Sequence, residues 1–106
     1  MSAEISSQSF HILVALADGD RHGYGIMQDV AARTNNQLRL SAGTLYGSIK
    51  RLLEQGLIVE IQSEGEERRR YYRLTLLGRK AARAEAARLA ELLEQARNHG
   101  LAPKLR

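Results

Sequence analysis

The stretch Ser41-Ala-Gly-Thr-Leu-Tyr-Gly-Ser-Ile-Lys-Arg-Leu-Leu-Glu-Gln-Gly-Leu-Ile58 predicts a capped amphipathic helix that ends at a glycine. Ser41 suits the N-cap position, because its hydroxyl can accept a hydrogen bond from a free amide in the first helical turn. Gly56 stands where a left-handed residue commonly ends a helix. The helical period places four apolar side chains on the side that faces the core: Leu45, Ile49, Leu52 and Leu53.

A second stretch, Arg68-Arg-Arg-Tyr-Tyr-Arg-Leu-Thr75, predicts an arginine-rich strand over residues 70–74. The preceding strand is expected over residues 57–61, with the polar segment 63–67 as the hairpin tip. Alternation along the second strand puts Tyr72 and Leu74 on the core side, with Arg70 on the same face near the mouth of the hairpin. A helix followed by a basic hairpin is typical of a domain that places the helix in a DNA groove and the hairpin beside it.

The remaining elements complete a winged helix-turn-helix. Helices are expected from about 7 to 17, from 22 to about 33 and from 76 to about 98, the last capped by Thr75. A very short strand is expected at residues 38–40. The predicted fold class is mostly α (α+β), with a two-stranded wing and a long C-terminal dimerisation helix. Residues 1–75 form the DNA-binding domain and 76–106 the dimerisation helix and tail, in one compact unit.

The last helix carries an apolar seam at heptad spacing, with small residues first and leucines further on. A chain this short has little core of its own to cover such a seam. We therefore expect a homodimer that forms through this helix. The seam consists of Ala82, Ala86, Leu89, Leu92, Leu93 and Ala96.

Composition narrows the function classes. The 106 residues include no cysteine, which excludes disulfides and thiolate metal sites and fits a reducing cytoplasm. The start of the chain lacks the features of a signal peptide, and the longest apolar run, residues 12–17, is far short of a membrane span. The net charge of +4 points weakly to a polyanionic partner. The scattered histidines and the serines and acids show no catalytic or metal-binding spacing, so neither an enzyme nor a cofactor is expected.

Several residues are expected to contact DNA, through base edges at the start of the reading helix and phosphates around it. Gly47 removes side-chain bulk and would allow close approach to the groove. The alternatives are an ordinary surface helix and a wing whose arginines pair with Glu66 and Glu67. Tyr24 is either a core aromatic or a phosphate contact, and its flanking glycines favour contact. The candidate residues are Tyr24, Ser41, Gly43, Thr44, Tyr46, Gly47, Lys50, Arg51, Arg68, Arg69 and Arg70.

These motifs together resemble the PadR family of transcriptional regulators. The resemblance rests on residues 22–26, 43–46, 50–52, 56–58 and 70–75, in the family's order. It implies a homodimeric winged-helix repressor that binds pseudo-palindromic operators, with the reading helix opening at Gly43 to Tyr46. Some members release DNA when they meet a small aromatic molecule, so an effector is a further possibility.

Two departures from the family pattern bear on function. Ala42 and Gly47 stand where the family commonly has proline, which makes the start of the reading helix less rigid. The C-terminal region is one helix, and the chain supplies few aromatic side chains for a planar-ligand pocket. Besides the DNA-binding repressor, we therefore retain two alternatives: a protein-interaction module that lacks operator recognition, and a repressor released by a small aromatic effector.

Overall fold

The computed structural model describes residues 5–62 and 69–103. It contains four helices, α1 (Ser7–Ala15), α2 (Gly23–Arg33), α3 (Ala42–Glu54) and α4 (Leu76–Asn98), within those residues. Its strands there are β1 (Arg21–His22), β2 (Ile58–Gln62) and β3 (Arg70–Leu74). They form one antiparallel sheet in the order β1-β3-β2. The predicted fold class, a mostly helical winged helix-turn-helix with a long C-terminal helix, is confirmed.

Short polar side chains begin three of the helices. Ser6, Ser41 and Thr75 accept hydrogen bonds from Ser9, Thr44 and Gly78 at 3.1, 3.1 and 2.9 Å, which satisfies amides that the helix itself leaves unpaired. The predicted caps at Ser41 and Thr75 are therefore confirmed.

The predicted end of α3 is also confirmed. Gly56 has a φ of +73°, and the Leu57 amide donates to the Leu52 carbonyl at 3.0 Å. The Gly56 amide donates to the Leu53 carbonyl at 3.1 Å. This pair of bonds is the Schellman motif, and it turns the chain directly into β2.

The core lies where the first three helices meet the inner face of the hairpin. Tyr72 and Leu74 point inward from β3, as their alternation predicts. In α3, Leu53 faces the core as predicted but is only partly buried. Ser48, which was not predicted to face the core, is fully buried. The remaining buried hydrophobic residues are Ile12, Leu13, Ala15, Leu16, Ile26, Val30, Leu40, Leu45, Ile49, Leu52, Leu57 and Ile58.

The structure corrects several predicted bounds. Residues 38–40 form no strand, because no strand within residues 5–62 and 69–103 pairs with them. Leu40 is nevertheless buried, Leu38 is half-buried and Arg39 between them is exposed. The first helix ends at Ala15 rather than Ala17. The first strand of the hairpin begins at Ile58, one residue later than expected. β1 was not predicted. It adds a third strand to the hairpin by pairing Arg21 with Tyr72 and His22 with Tyr71.

Candidate nucleic-acid interface

The outward face of α3 carries the residues that the sequence predicts to read DNA. Gly43, Thr44, Lys50 and Arg51 are exposed, and Gly47 is half-exposed. A side chain added at Gly43 would meet open space. On the opposite side of α3, Leu45, Ile49 and Leu52 are buried, as predicted. Because that side of the helix packs against the core, this face points outward.

Hydrogen bonds at the start of α3 orient two of these side chains. The Ser41 hydroxyl accepts from the Thr44 amide and donates to the Thr44 hydroxyl oxygen at 3.1 Å. Ser41 is therefore committed to capping, while Thr44 accepts that bond and keeps its own hydroxyl proton to donate outward. Further along, Arg51 donates to the Ser48 hydroxyl at 3.3 Å and so lies back along its own helix.

An open cleft of about 350 Å³ separates α3 from the wing. We call it the tyrosine cleft, because three of the chain's four tyrosines line it. Tyr24 and Tyr46 are 63% and 51% exposed, so solvent reaches a large part of both side chains. The full lining is His22, Gly23, Tyr24, Tyr46, Arg69, Arg70 and Tyr72, and no residue in that set is acidic.

Tyr72 adds no negative charge to the cleft. A tyrosine hydroxyl is neutral near pH 7 at its ordinary pKa of about 10. Burial raises the pKa of the Tyr72 hydroxyl further, and the Glu60 carboxylate acts in the same direction.

His22 joins the wing to the helix-turn-helix, a role that the sequence analysis missed. Its Nδ1 accepts from the Gly25 amide at 2.9 Å and so caps α2. Its Nε2 lies 3.3 Å from Arg69, and its ring packs edge-on against Tyr71 with the ring centroids 5.4 Å apart. Histidine is not among the usual capping residues. The sequence predicted that a helix opens at residue 22, but not that the His22 imidazole itself caps it.

The wing arginines divide between two tasks. Arg73 forms a bidentate pair with Asp20 at 3.0 and 2.8 Å, and this hydrogen bonding holds the pKa of the Asp20 carboxyl below its ordinary range. Arg73 thus ties β3 to the turn after α1. Arg70 is mostly exposed and lies 3.9 Å from Glu60, and Arg69 faces the cleft beside His22. Arg68, Glu66 and Glu67 lie outside the described residues.

The predicted apolar seam of α4, which we call the dimerisation stripe from here on, is exposed along most of its length. Gly78 is the one fully buried residue of α4, whose side chains the structure describes throughout. Leu89, Leu92 and Leu93 are 38, 53 and 42% exposed. At the start of the stripe, Ala82 packs against the core. A shallow apolar groove of about 200 Å³ runs beside it between α1 and α4, lined partly by Phe10, Val14 and Ala86.

Comparison with known proteins agrees with this architecture. The family described as the transcriptional regulator PadR-like family matches residues 12–84. A transcriptional regulator of Mycobacterium tuberculosis is 37% identical over 86 residues, which cover 80% of this chain and 78% of that protein. A solved transcriptional regulator from Clostridium thermocellum superposes with a TM-score of 0.78 at 30% identity, over 89% of this chain and 92% of the other.

A third comparison concerns the fold alone. Bacillus subtilis PadR, solved in complex with operator DNA, has a TM-score of 0.69 at 19% identity. The superposition covers 78% of this chain and 48% of that one.

None of the helices within residues 5–62 and 69–103 is both long enough and apolar enough to cross a bilayer.

Proposed function

Because the chain belongs to the PadR-like family of transcriptional regulators, which are DNA-binding proteins and not enzymes, we propose that it is a homodimeric repressor of a pseudo-palindromic operator. Each subunit would place α3 in a major groove and the wing beside it. Such a protein acts where the chromosome is, so the proposal includes a cytoplasmic location.

The main support for the proposal is that α3 and the wing share one surface, the tyrosine cleft. Tyr46 of α3 and Arg69 and Arg70 of the wing line the same cleft, whose described lining includes no carboxylate. Duplex DNA presents base edges in its groove and phosphates along both rims. A reading helix with cations on its flank matches that arrangement. The phosphate contacts would be made by Tyr24, Tyr46, Lys50, Arg51, Arg69 and Arg70, with Arg68 as a further candidate at the tip.

Base reading would fall to the exposed start of α3. Thr44 is exposed, and its hydroxyl proton is available because Ser41 occupies the oxygen as a donor. Gly43 and Gly47 present little bulk, which lets the helix approach the base edges. Ser41 contributes by fixing the first turn rather than by a contact of its own.

The exposed stripe on α4 supports the dimer. Three leucines on one helix face, continuous with the groove beside α1, form an apolar surface that a second copy can cover. A two-fold arrangement would present the two α3 helices to half-sites about one helical turn apart, roughly 34–36 Å. Repression then follows from occupation of a promoter.

Binding to matched DNA duplexes tests the proposal. One duplex carries the region upstream of the protein's own gene and the other a shuffled sequence of equal length, at the same salt concentration. We expect the upstream duplex to bind about 10³-fold more tightly or better. Lys50→Ala should weaken binding to both duplexes, whereas Thr44→Ala should mainly reduce the difference between them. Equal affinity for the two duplexes would contradict operator recognition.

A further inference from the structure

A second hollow lies on the far side of Tyr24 from the tyrosine cleft. It is an open depression of about 240 Å³ between α2 and the chain that leads into α3. Its floor is apolar and consists of Met27, Ala31 and Leu40, and its rim is polar, with Gln28, Asn36 and Arg39. Tyr24 lines both cavities and stands between them. We call this cavity the turn hollow.

The turn that carries Asn36 is held by backbone hydrogen bonds. The Asn36 amide donates to the Ala31 carbonyl at 2.7 Å and the Asn35 amide to the Ala32 carbonyl at 3.3 Å. Both asparagines have left-handed backbone angles, with φ of 52° and 64°. Asparagine tolerates this conformation better than other side chains. The Thr34 hydroxyl also accepts from the Leu38 amide at 3.1 Å, so the whole turn is fixed in advance of any binding.

Arg39 is directed outward by its neighbours. Leu40 is buried and Leu38 packs against the core, so the extended chain between them must turn Arg39 to solvent. Other arginines near this region are engaged: Arg21 and Arg33 both pair with Asp29. Arg39 has no ion pair or side-chain hydrogen bond with any residue in the ranges 5–62 and 69–103. Its charge is therefore available on a rigid support.

We infer that the turn hollow is a second binding site for the DNA backbone, with Arg39 as its phosphate-binding residue. This inference rests on the proposed function. A nucleotide backbone alternates a charged phosphate with a deoxyribose whose faces are largely apolar. The polar rim suits the phosphate and the apolar floor suits the sugar, and both kinds of group are common protein contacts in DNA complexes. This site would extend the contact with DNA from the wing, past Tyr24, to the turn before α3.

The salt dependence of binding gives the test. Each phosphate contact releases counterions and contributes about −0.9 to the slope of log K against log salt concentration. Fluorescence anisotropy would be measured on the upstream duplex and on the shuffled duplex at several salt concentrations. The variants are Arg39→Ala and, as control, Lys80→Ala, which removes one positive charge from an exposed site on α4 opposite the apolar stripe.

We expect Arg39→Ala to weaken binding to both duplexes by about tenfold. The slope of log K against log salt concentration should become less steep by about 1. Lys80→Ala should change neither. Gln28→Ala should weaken binding less and leave the slope unchanged, because glutamine carries no charge. The proposal is overturned if Arg39→Ala behaves like Lys80→Ala, or if it weakens binding to the upstream duplex alone, which would mark base reading. In both cases the unaltered protein still binds DNA and the proposed function stands. Failure of the unaltered protein to bind either duplex would overturn both.

Discussion

The Tyr46 side chain lies directly on the backbone of Gly23. A β-carbon added at Gly23 would overlap the Tyr46 hydroxyl and would lie 3.0 Å from the ring carbon that bears it. Gly23 opens α2 and Tyr46 lies in the second turn of α3, so this contact sets how the reading helix meets the helix before it. A larger residue at position 23 would force the Tyr46 side chain to move, and the orientation of a proposed phosphate contact would change with it.

Gly23→Ala should therefore displace Tyr46 and weaken binding to a DNA duplex by about tenfold, a loss of about 1.4 kcal/mol in binding free energy. Gly25→Ala is the matched control, because its added carbon would meet the His22 ring at an ordinary 3.4 Å. A double-mutant cycle makes the test specific: in a Tyr46→Ala background, Gly23→Ala should cause no further loss. A full additional loss in that background would show that Gly23 acts by another route.

Gly78 is the position where we expect the largest loss of stability. A β-carbon there would overlap the Leu57 carbonyl oxygen and lie 2.9 Å from Leu74. That carbonyl accepts from the Thr75 amide at 3.1 Å and cannot move without disturbing this bond, which holds the N-cap residue of α4 beside the start of β2. Gly78→Ala should lower the free energy of unfolding by about 3 kcal/mol or more, measured by urea denaturation. Gly43→Ala, whose added carbon meets open space, should leave it equal or slightly raised. Similar midpoints for the two variants would refute the packing argument.

Local signals in the sequence were sufficient to predict the reading helix and β3, the second strand of the hairpin. Ser41, Gly56 and Thr75 act through bonds to residues close in sequence, so a local pattern identifies them. The bounds of β3 follow from alternation alone, because one of its faces is buried. These elements are local consequences of residue type.

Features that depend on distant partners were not predictable in the same way. β1 has two residues, and it is a strand only because β3 lies beside it. Leu38 and Leu40 show the alternation of a strand, but no strand in the described part of the chain pairs with them, so the same pattern directs Arg39 outward instead. The tyrosine cleft brings together residues from three separate parts of the chain: residues 22–24, Tyr46 and residues 69–72. Its lining required the three-dimensional arrangement of α2, α3 and β3.

His11 should give the protein a pH-dependent stability. Burial, together with the charge of Arg33, lowers the pKa of the His11 imidazole below its ordinary 6.5. The unfolded chain therefore binds this proton more readily than the folded one, so the contribution is complete above about pH 6.5 and is lost as the pH falls through the folded-state pKa. Urea denaturation across pH 5 to 8 should show stability falling toward acid, and His11→Gln should flatten that part of the curve. His99→Gln, at an exposed site after α4, serves as control. An unchanged profile in His11→Gln would contradict this assignment.

The leucines of α4 should determine the oligomeric state. Leu89 and Leu93 are partly exposed and adjacent on one helix face, so a charge at either site would be buried against the partner in the proposed dimer. Leu89→Glu combined with Leu93→Glu should produce a folded monomer by light scattering, with little change in helix content. Ala84→Glu, on the opposite face of the same helix, should remain a dimer. The monomer should also lose most of its preference for the upstream duplex, since one subunit can engage one half-site only. A monomeric mass for the unaltered protein, or a dimer that survives both leucine substitutions, would contradict an interface on this stripe.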